Sequence, residues 1–377
     1  MRDIMEKFLE LLNKKGVKYC INDNKIIVNN NLNLTKKGIC VLPDNLLING
    51  DLILAHTKIE ALPKNFSVSG DLDLTDSAIQ LLPDNLSVGG SLYLSFTHIK
   101  ELPNNLSIGG DLYLGNTDIQ SLPENLSIGG DLDLVFSELK ELPDNLSIGG
   151  NLNLENTEIE ILPRNLSVGG DLYLINSQIN KLSENLFVGG DLDLAYTNIQ
   201  SLPEGLTVGG DLDLRNTNIK QLPEKFSVGG YLNLRNTKIQ ILPEHLSVGG
   251  YLSLANTQIQ ALPKNLFVGE HLNIQSTKIT SLPENLSVTR GIYLDIDQIQ
   301  NIAYRKTDED KSQTIFACWA NSAFAIQAME FFGTLADFEK MVDENYSEEN
   351  AIKYKKMANE CIKELTIKLN KPSLRVN

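Results

Sequence analysis

The stretch SLPEGLTVGGDLDLRNTNIK, residues 201–220, recurs in recognisable form along most of the chain. Blocks of twenty residues from Val41 to Gln300 align as thirteen copies without insertion or deletion. Within this block Leu202, Leu206, Val208, Leu212, Leu214 and Ile219 are apolar, and so are their counterparts in every other block. Leu212 and Leu214 alternate with Asp211, Asp213 and Arg215, the period-two pattern of a short strand with one buried face. So short a strand cannot bury itself. Stacking the blocks sideways buries it, which predicts an α/β solenoid with a curved parallel sheet on the concave side over columns of leucine.

The other recurrent letters read as turns. Gly209 and Gly210 precede the strand, where a backbone free to adopt positive φ is expected to reverse direction tightly. Pro203 fixes φ and excludes a helix interior, so the convex side is expected to be extended or polyproline-like. Thr217, matched by Thr or Ser in eleven of the other twelve blocks, is expected to satisfy backbone groups of the next coil through its hydroxyl.

The ends break the pattern and read as caps. Residues 1–40 hold a helical face of Met5, Phe8, Leu9 and Leu12, then a hairpin of VKYCI and KIIV and a degenerate repeat. The repeats occupy 41–300. Residues 301–377 begin with the charged stretch RKTDEDKSQ, a linker or loop, and continue as a small α or α+β module. There TIFACW suits a strand, Thr334 a helix cap, and Ser347 the cap of a longer helix with Ile352, Met357, Cys361, Ile362 and Leu365 as its apolar residues.

The pattern Leu-x-Leu-x-x-Thr-x-Ile-x-x-Leu-Pro, as in Leu212 through Pro223, resembles the short, Leu-Pro-containing bacterial leucine-rich repeat. That subtype occurs in secreted virulence effectors of the YopM and IpaH-like groups, and similar repeats occur in bacterial and phage proteins. Two features depart from it: the ladder asparagine is Thr or Ser here, and a Val-Gly-Gly-x-Leu spacing replaces Leu-x-x-Leu. The resemblance implies a leucine-rich repeat solenoid that recognises proteins, in a bacterial effector or a related protein.

Composition narrows the partners. Lys plus Arg number 33 against 48 Asp plus Glu, a net charge of -15, which argues against nucleic acid. The N-terminus has no apolar core with a cleavage site, and no run of eighteen apolar residues occurs, so no secretory signal and no membrane span is expected. Cys20, Cys40, Cys318 and Cys361 are too scattered for a zinc site and read as reduced thiols in a cytoplasm, bacterial or host. The Asn-Leu-Ser sequons, as at Asn85 and Asn125, then read as turns rather than glycosylation sites.

No set of nucleophile, base and orienter converges. His56, His98, His245 and His271 occupy different repeat positions and read as surface residues. The ligase-bearing relatives carry a Cys-x-Asp motif in a large helical domain, whereas this tail offers Cys318-Trp319-Ala320 and Cys361-Ile362-Lys363. The reading is therefore non-enzymatic, with no cofactor and no metal.

Candidate partner-binding residues lie on the exposed strand face. Asp71/Asp73, Asp131/Asp133, Asp191/Asp193 and Asp211/Asp213 form Asp-x-Asp pairs. Neighbouring carboxylates about 5 Å apart repel by about 0.8 kcal/mol even in water. A solvated acidic face, a basic protein partner and calcium are the three readings of that column. Tyr93, Tyr113 and Tyr173 share one strand column and Tyr231 and Tyr251 a neighbouring one, while Phe96, Phe136 and Tyr196 follow the strand. Tyrosine on a rigid sheet suits protein recognition, though it is also a strand former. Arg215 and Arg235 add a basic spot. The expected function is a protein-recognition scaffold whose concave face holds a protein with a basic surface. The alternatives are a C-terminal module with its own activity, addressed by the repeats, and a structural repeat protein without a single partner.

Overall fold

The computed structural model describes residues 2–124, 126–306 and 314–371. By contacts it divides into two compact units, Met1–Asn198 with Gly205–Val208, and Ile199–Glu204 with Gly209–Asn377.

The first unit opens with helix α1 (Arg2–Lys14), which has Asp3 in its first turn and Lys14 in its last, each complementing the helix dipole. Phe8 and Leu12 are buried, while Met5 and Leu9 are half-buried. A hairpin follows, Tyr19–Asn22 against Lys25–Val28. Its two turn residues, Asp23 and Asn24, have φ of 46° and 63°, the left-handed pair that matches strand twist. Lys25–Val28 then pairs parallel with Leu46–Ile48, so the hairpin is the first rung of the stack.

Each coil carries two short strands. The front strands run from Leu32–Asn33 to Leu192–Asp193, all parallel and in twenty-residue register, as in Leu92 opposite Leu112 and Tyr93 opposite Tyr113. The extended back leg pairs as well. Leu46–Ile48 to Ser107–Ile108 form one ladder with the hairpin, and Ser127–Ile128 to Thr207–Val208 form another. The interior is leucine and isoleucine: Leu92, Leu94 and Ile99 have no exposed surface, and the pattern repeats coil after coil. Each such side chain contributes roughly 1.5–3 kcal/mol of burial.

Two turn expectations are corrected. The glycine pairs do not use positive φ; among the described glycines only Gly16 and Gly291 have it. The need is close approach. A Cβ on Gly109 would lie 2.0 Å from the carbonyl oxygen of Gly89, and one on Gly90 would lie 2.1 Å from Asp71 Oδ1. The left-handed corners fall instead on asparagines, such as Asn116 and Asn156 after the front strand and Asn65, Asn85 and Asn145 before the back strand. Side chains of the latter column are linked, with Asn65 Nδ2 donating to Asn45 Oδ1 at 2.8 Å and Asn105 to Asn85 at 3.2 Å. Asn85 is thus a structural corner; Asn125 lies outside the described residues.

The threonine hydroxyls also act differently from expectation. Thr97 Oγ1 donates to Leu94 O at 2.6 Å, and Thr117 to Leu114 O at 2.6 Å, within the same coil rather than to the next. A buried hydroxyl is satisfied by the nearest free carbonyl, which the turn places three residues back.

The second unit continues the motif, with front strands Leu212–Asp213, Leu232–Asn233, Leu252–Ser253, His271–Asn273 and Gly291–Tyr293. Its back strands run from Ser227–Val228 to Ser287–Val288. A four-stranded antiparallel sheet follows: Ala303–Lys306, Thr314–Ala320, Ala323–Ala328 and Phe331–Gly333. Helices α2 (Leu335–Asn345) and α3 (Glu348–Leu369) cover it, sharing a core with Ile315, Ala317 and Ile326 through Phe338, Val342 and Leu365. The end module is therefore mixed sheet and helix rather than helical alone. Of the stretch RKTDEDKSQ, Arg305 and Lys306 end a strand, and 307–313 lie outside the described residues. Thr334 caps α2, accepting from Asp337 N at 3.2 Å, whereas Ser347 makes no side-chain cap. Ile352 is 62% exposed and does not belong to the core.

Side chains of this module close the last coil. Asn321 accepts from Val288 N at 3.0 Å and donates to Val288 O at 2.7 Å, and Gln327 Oε1 accepts from Ile292 N at 2.6 Å. Backbone groups that would otherwise form a bare sheet edge are thereby satisfied.

Candidate functional site

The residues that flank each front-strand leucine form the candidate face, and their chemistry divides into frame and surface. The position before the leucine is an acceptor column. Ser91 N donates to Asp71 Oδ1 at 2.8 Å, Asp131 N to Asp111 Oδ1 at 2.8 Å, and Asp191 N to Asp171 Oδ1 at 2.8 Å. The position after the leucine turns the chain: Asp73, Asp133 and Asp193 each accept from the backbone N–H two residues on, at 2.9 Å. In the second unit Asp211 accepts from Tyr231 N at 2.7 Å, and Asp213 accepts from Arg215 N and pairs with its guanidinium at 2.6 Å. Both members of the Asp71/Asp73, Asp131/Asp133 and Asp211/Asp213 pairs are thus tied to backbone N–H groups, which offset the repulsion that charge counting alone leaves unrelieved. Burial raises the Asp133 carboxyl above its ordinary range, with Asp131 adding to it. Glu155, which charge patterning did not single out, is raised by burial and by Asp193 and Asp133.

The tyrosines stand on this frame. Tyr93 and Tyr113 stack with centroids 4.7 Å apart and planes 4° from parallel, as adjacent strands about 4.8 Å apart require. Tyr113 and Tyr173 donate their hydroxyls to the Oδ2 atoms of Asp111 and Asp171 at 3.1 and 2.7 Å. Burial, followed by the charge of Asp111, pushes Tyr113 up to about 12; the hydrogen bond to Asp171, followed by burial, does the same for Tyr173.

Phe96, Phe136 and Tyr196 hold the corner after the front strand, with φ of 61°, 54° and 61°. Side chains there are 59, 56 and 54% exposed. Asparagine occupies the same corner at Asn116, Asn156 and Asn176. A bulky residue in the left-handed region costs roughly 1–2 kcal/mol, and these rings recover little of it by burial.

In the second unit the acceptor column turns aromatic. Tyr231, Tyr251, His271 and Tyr293 form a strip with successive centroid distances of 6.2, 6.5 and 5.4 Å. Sequence reasoning missed His271 and Tyr293. The signal for His271 was its column, shared with Tyr231 and Tyr251. Arg235 is exposed beside the strip, and no ion pair forms on it among the described residues. His56 and His98 are held by Asp76 and Asp118 of the next coil at 2.6 and 3.1 Å.

Among the described residues no group of three His, Cys, Asp or Glu side chains is placed to hold a metal. Cys318 and Cys361 are buried, and burial pushes their thiols up to about 12 and about 11, away from the reactive thiolate. No helix among the described residues is long and apolar enough to cross a membrane.

No family model and no curated protein matches the chain. Solved structures similar to the chain include two of YopM. YopM, a leucine-rich effector protein from Yersinia pestis, is 18% identical over 70% of this chain and 82% of its own, with a TM-score of 0.44. YopM from Yersinia enterocolitica WA-314 is 19% identical over 70% and 78%, with a TM-score of 0.30. The in-register twenty-residue coils over columns of buried leucine form a parallel β-solenoid.

Proposed function

We propose that the chain is a non-enzymatic protein-recognition scaffold, and that the front face of the first unit holds a partner with a basic surface. The observation that carries this reading is the placement of Phe96, Phe136 and Tyr196, more than half exposed, at corners that suit asparagine better. A strain that brings no packing within the chain is accounted for by packing against another molecule. Between these rings stand Tyr93, Tyr113 and Tyr173, and the carboxylates of Asp133, Glu155 and Asp193 give the face its sign. Lysine or arginine on the partner would meet those charges, and the ring edges would supply contact area.

The C-terminal module serves as a cap under this reading, because Asn321 and Gln327 are engaged in closing the last coil. All four cysteines are unpaired, in keeping with a cytoplasmic protein. Resemblance of the repeats to those of bacterial effectors makes host proteins a class of partner to test beside bacterial ones. The experiment is affinity capture from bacterial and animal-cell lysates with the intact chain and with Tyr93→Ala/Tyr113→Ala/Tyr173→Ala. A protein retained by the first, lost by the second and released by moderate salt supports the reading. Equal capture by both sinks it.

A further inference from the structure

The two units differ in the chemistry of their front faces. In the first, the column before the leucine is mostly Asp. In the second, past Asp211 and Asp213, it reads Tyr231, Tyr251, His271, and the column after the leucine reads Asn233, Ser253, Asn273. Within a chain of net charge -15 this is a patch of phenol, imidazole, amide and hydroxyl groups. A cleft of about 400 Å³ opens in it, with Arg235, Tyr251, Asn273 and Gln275 among its walls. One carboxylate, Asp295, also lines the cleft, and it accepts from Ser276 N at 2.6 Å.

Asn233 and Asn273 spend their side-chain oxygens on the backbone N–H groups of Arg235 and Gln275 at 3.1 and 3.0 Å, which leaves the Arg235 guanidinium as the cationic donor of the walls. Arg215 is neutralised by Asp213 at 2.6 Å, and Arg290 faces Glu270 at 3.7 Å. Arg235 forms no such pair among the described residues. The strip is also fixed in place: the Tyr231 ring lies over Gly250, where a Cβ would fall 2.3 Å from Tyr231 Cδ1. Rings meet at 83° and 72°, so they present edges and hydroxyl tips rather than one flat platform. Tyrosine, asparagine and serine on a rigid support, with one free guanidinium, form a surface suited to polypeptide rather than to a stacked sugar ring.

We infer that the second unit carries its own recognition site, for an extended polypeptide segment bearing a carboxylate, received by Arg235 and flanked by the aromatic strip. Its charge preference is opposite to that of the first unit's face, and the inference stands independently of that face. Side-chain and C-terminal carboxylates share the chemistry, and the test separates them.

A random-peptide phage library is panned on the full chain. Enriched peptides are synthesised with free and with amidated C-termini, and with each Asp or Glu changed to its amide. Fluorescence anisotropy then compares the intact chain with Arg235→Gln and with Lys225→Gln, an exposed lysine outside the patch that matches the change in charge. Enriched peptides carry a carboxylate, and either their amide forms or their amidated termini weaken, identifying its source. Arg235→Gln weakens binding about tenfold or more and Lys225→Gln does not. The inference is overturned by no enrichment, by enrichment of basic peptides, by equal affinities for intact chain and Arg235→Gln, or by neutral oligosaccharides binding the patch in place of peptides.

Discussion

Asp131 Oδ1 accepts the backbone N–H of Asn151 at 2.7 Å, and Asn151 Oδ1 in turn accepts that of Asp171 at 2.7 Å. An aspartate and an asparagine do the same work in successive coils, so the column is fixed by its acceptor oxygen rather than by its charge. Asp131→Asn therefore leaves the denaturation midpoint unchanged or slightly higher, since one of several like charges is removed. Asp131→Ala leaves the Asn151 N–H without its acceptor and costs about 1–3 kcal/mol. Urea unfolding of the two variants decides the point, and equal losses would contradict it.

Gly129 and Gly149 occupy the same repeat position with different surroundings. A Cβ on Gly149 would lie 2.2 Å from Gly129 O, whereas one on Gly129 meets nothing within 4 Å. The back strands explain this, because Ser107–Ile108 ends one ladder and Ser127–Ile128 begins the next. Gly149→Ala is expected to cost roughly 2 kcal/mol or more through overpacking against backbone. Gly129→Ala is expected to be near neutral. Thermal melts of the pair test whether close approach, and not turn conformation, fixes the glycines.

Alkaline pH loosens the first unit through Tyr113 and Tyr173. Their hydroxyls are pushed from an ordinary 10.0 up to about 12. Below pH 10 folded and unfolded chains both hold these protons, and the contribution is intact. As the pH rises from 10 towards 12 the unfolded chain ionises while the folded chain does not, so stability falls. Tyr113→Phe/Tyr173→Phe flattens this part of the stability curve, and phenolate absorbance of the double variant loses two late-titrating tyrosines relative to the intact chain. Unchanged alkaline sensitivity in the double variant would contradict the assignment.

Much of the fold was legible because apolar spacing of twenty residues leaves few ways to bury a two-residue strand. Leu212 and Leu214 alone point to a stacked front sheet. What charge counting concealed was the acceptor role of the aspartates. The substitutions Ser91 and Asn151 in the same column were its trace, since they share an oxygen with Asp and not a charge. The glycine pair misled because glycine serves close approach and positive φ equally well, and only the neighbouring coil tells which. In the C-terminal module, contacts such as Trp319 edge-on to Phe324 at 5.0 Å join residues that follow no repeat, so periodicity could not reach them. Phe96, Phe136 and Tyr196 were visible as exposed aromatics, but their left-handed backbone was not.

One variant tests whether the rings at those three corners serve a partner: Phe96→Asn/Phe136→Asn/Tyr196→Asn, measured for unfolding free energy and for capture of the partner retained by the intact chain. Asparagine relieves the left-handed strain, so stability rises by about 0.5–1 kcal/mol per site, while partner capture is lost. A variant that is less stable than the intact chain, or that retains the partner undiminished, would contradict the account.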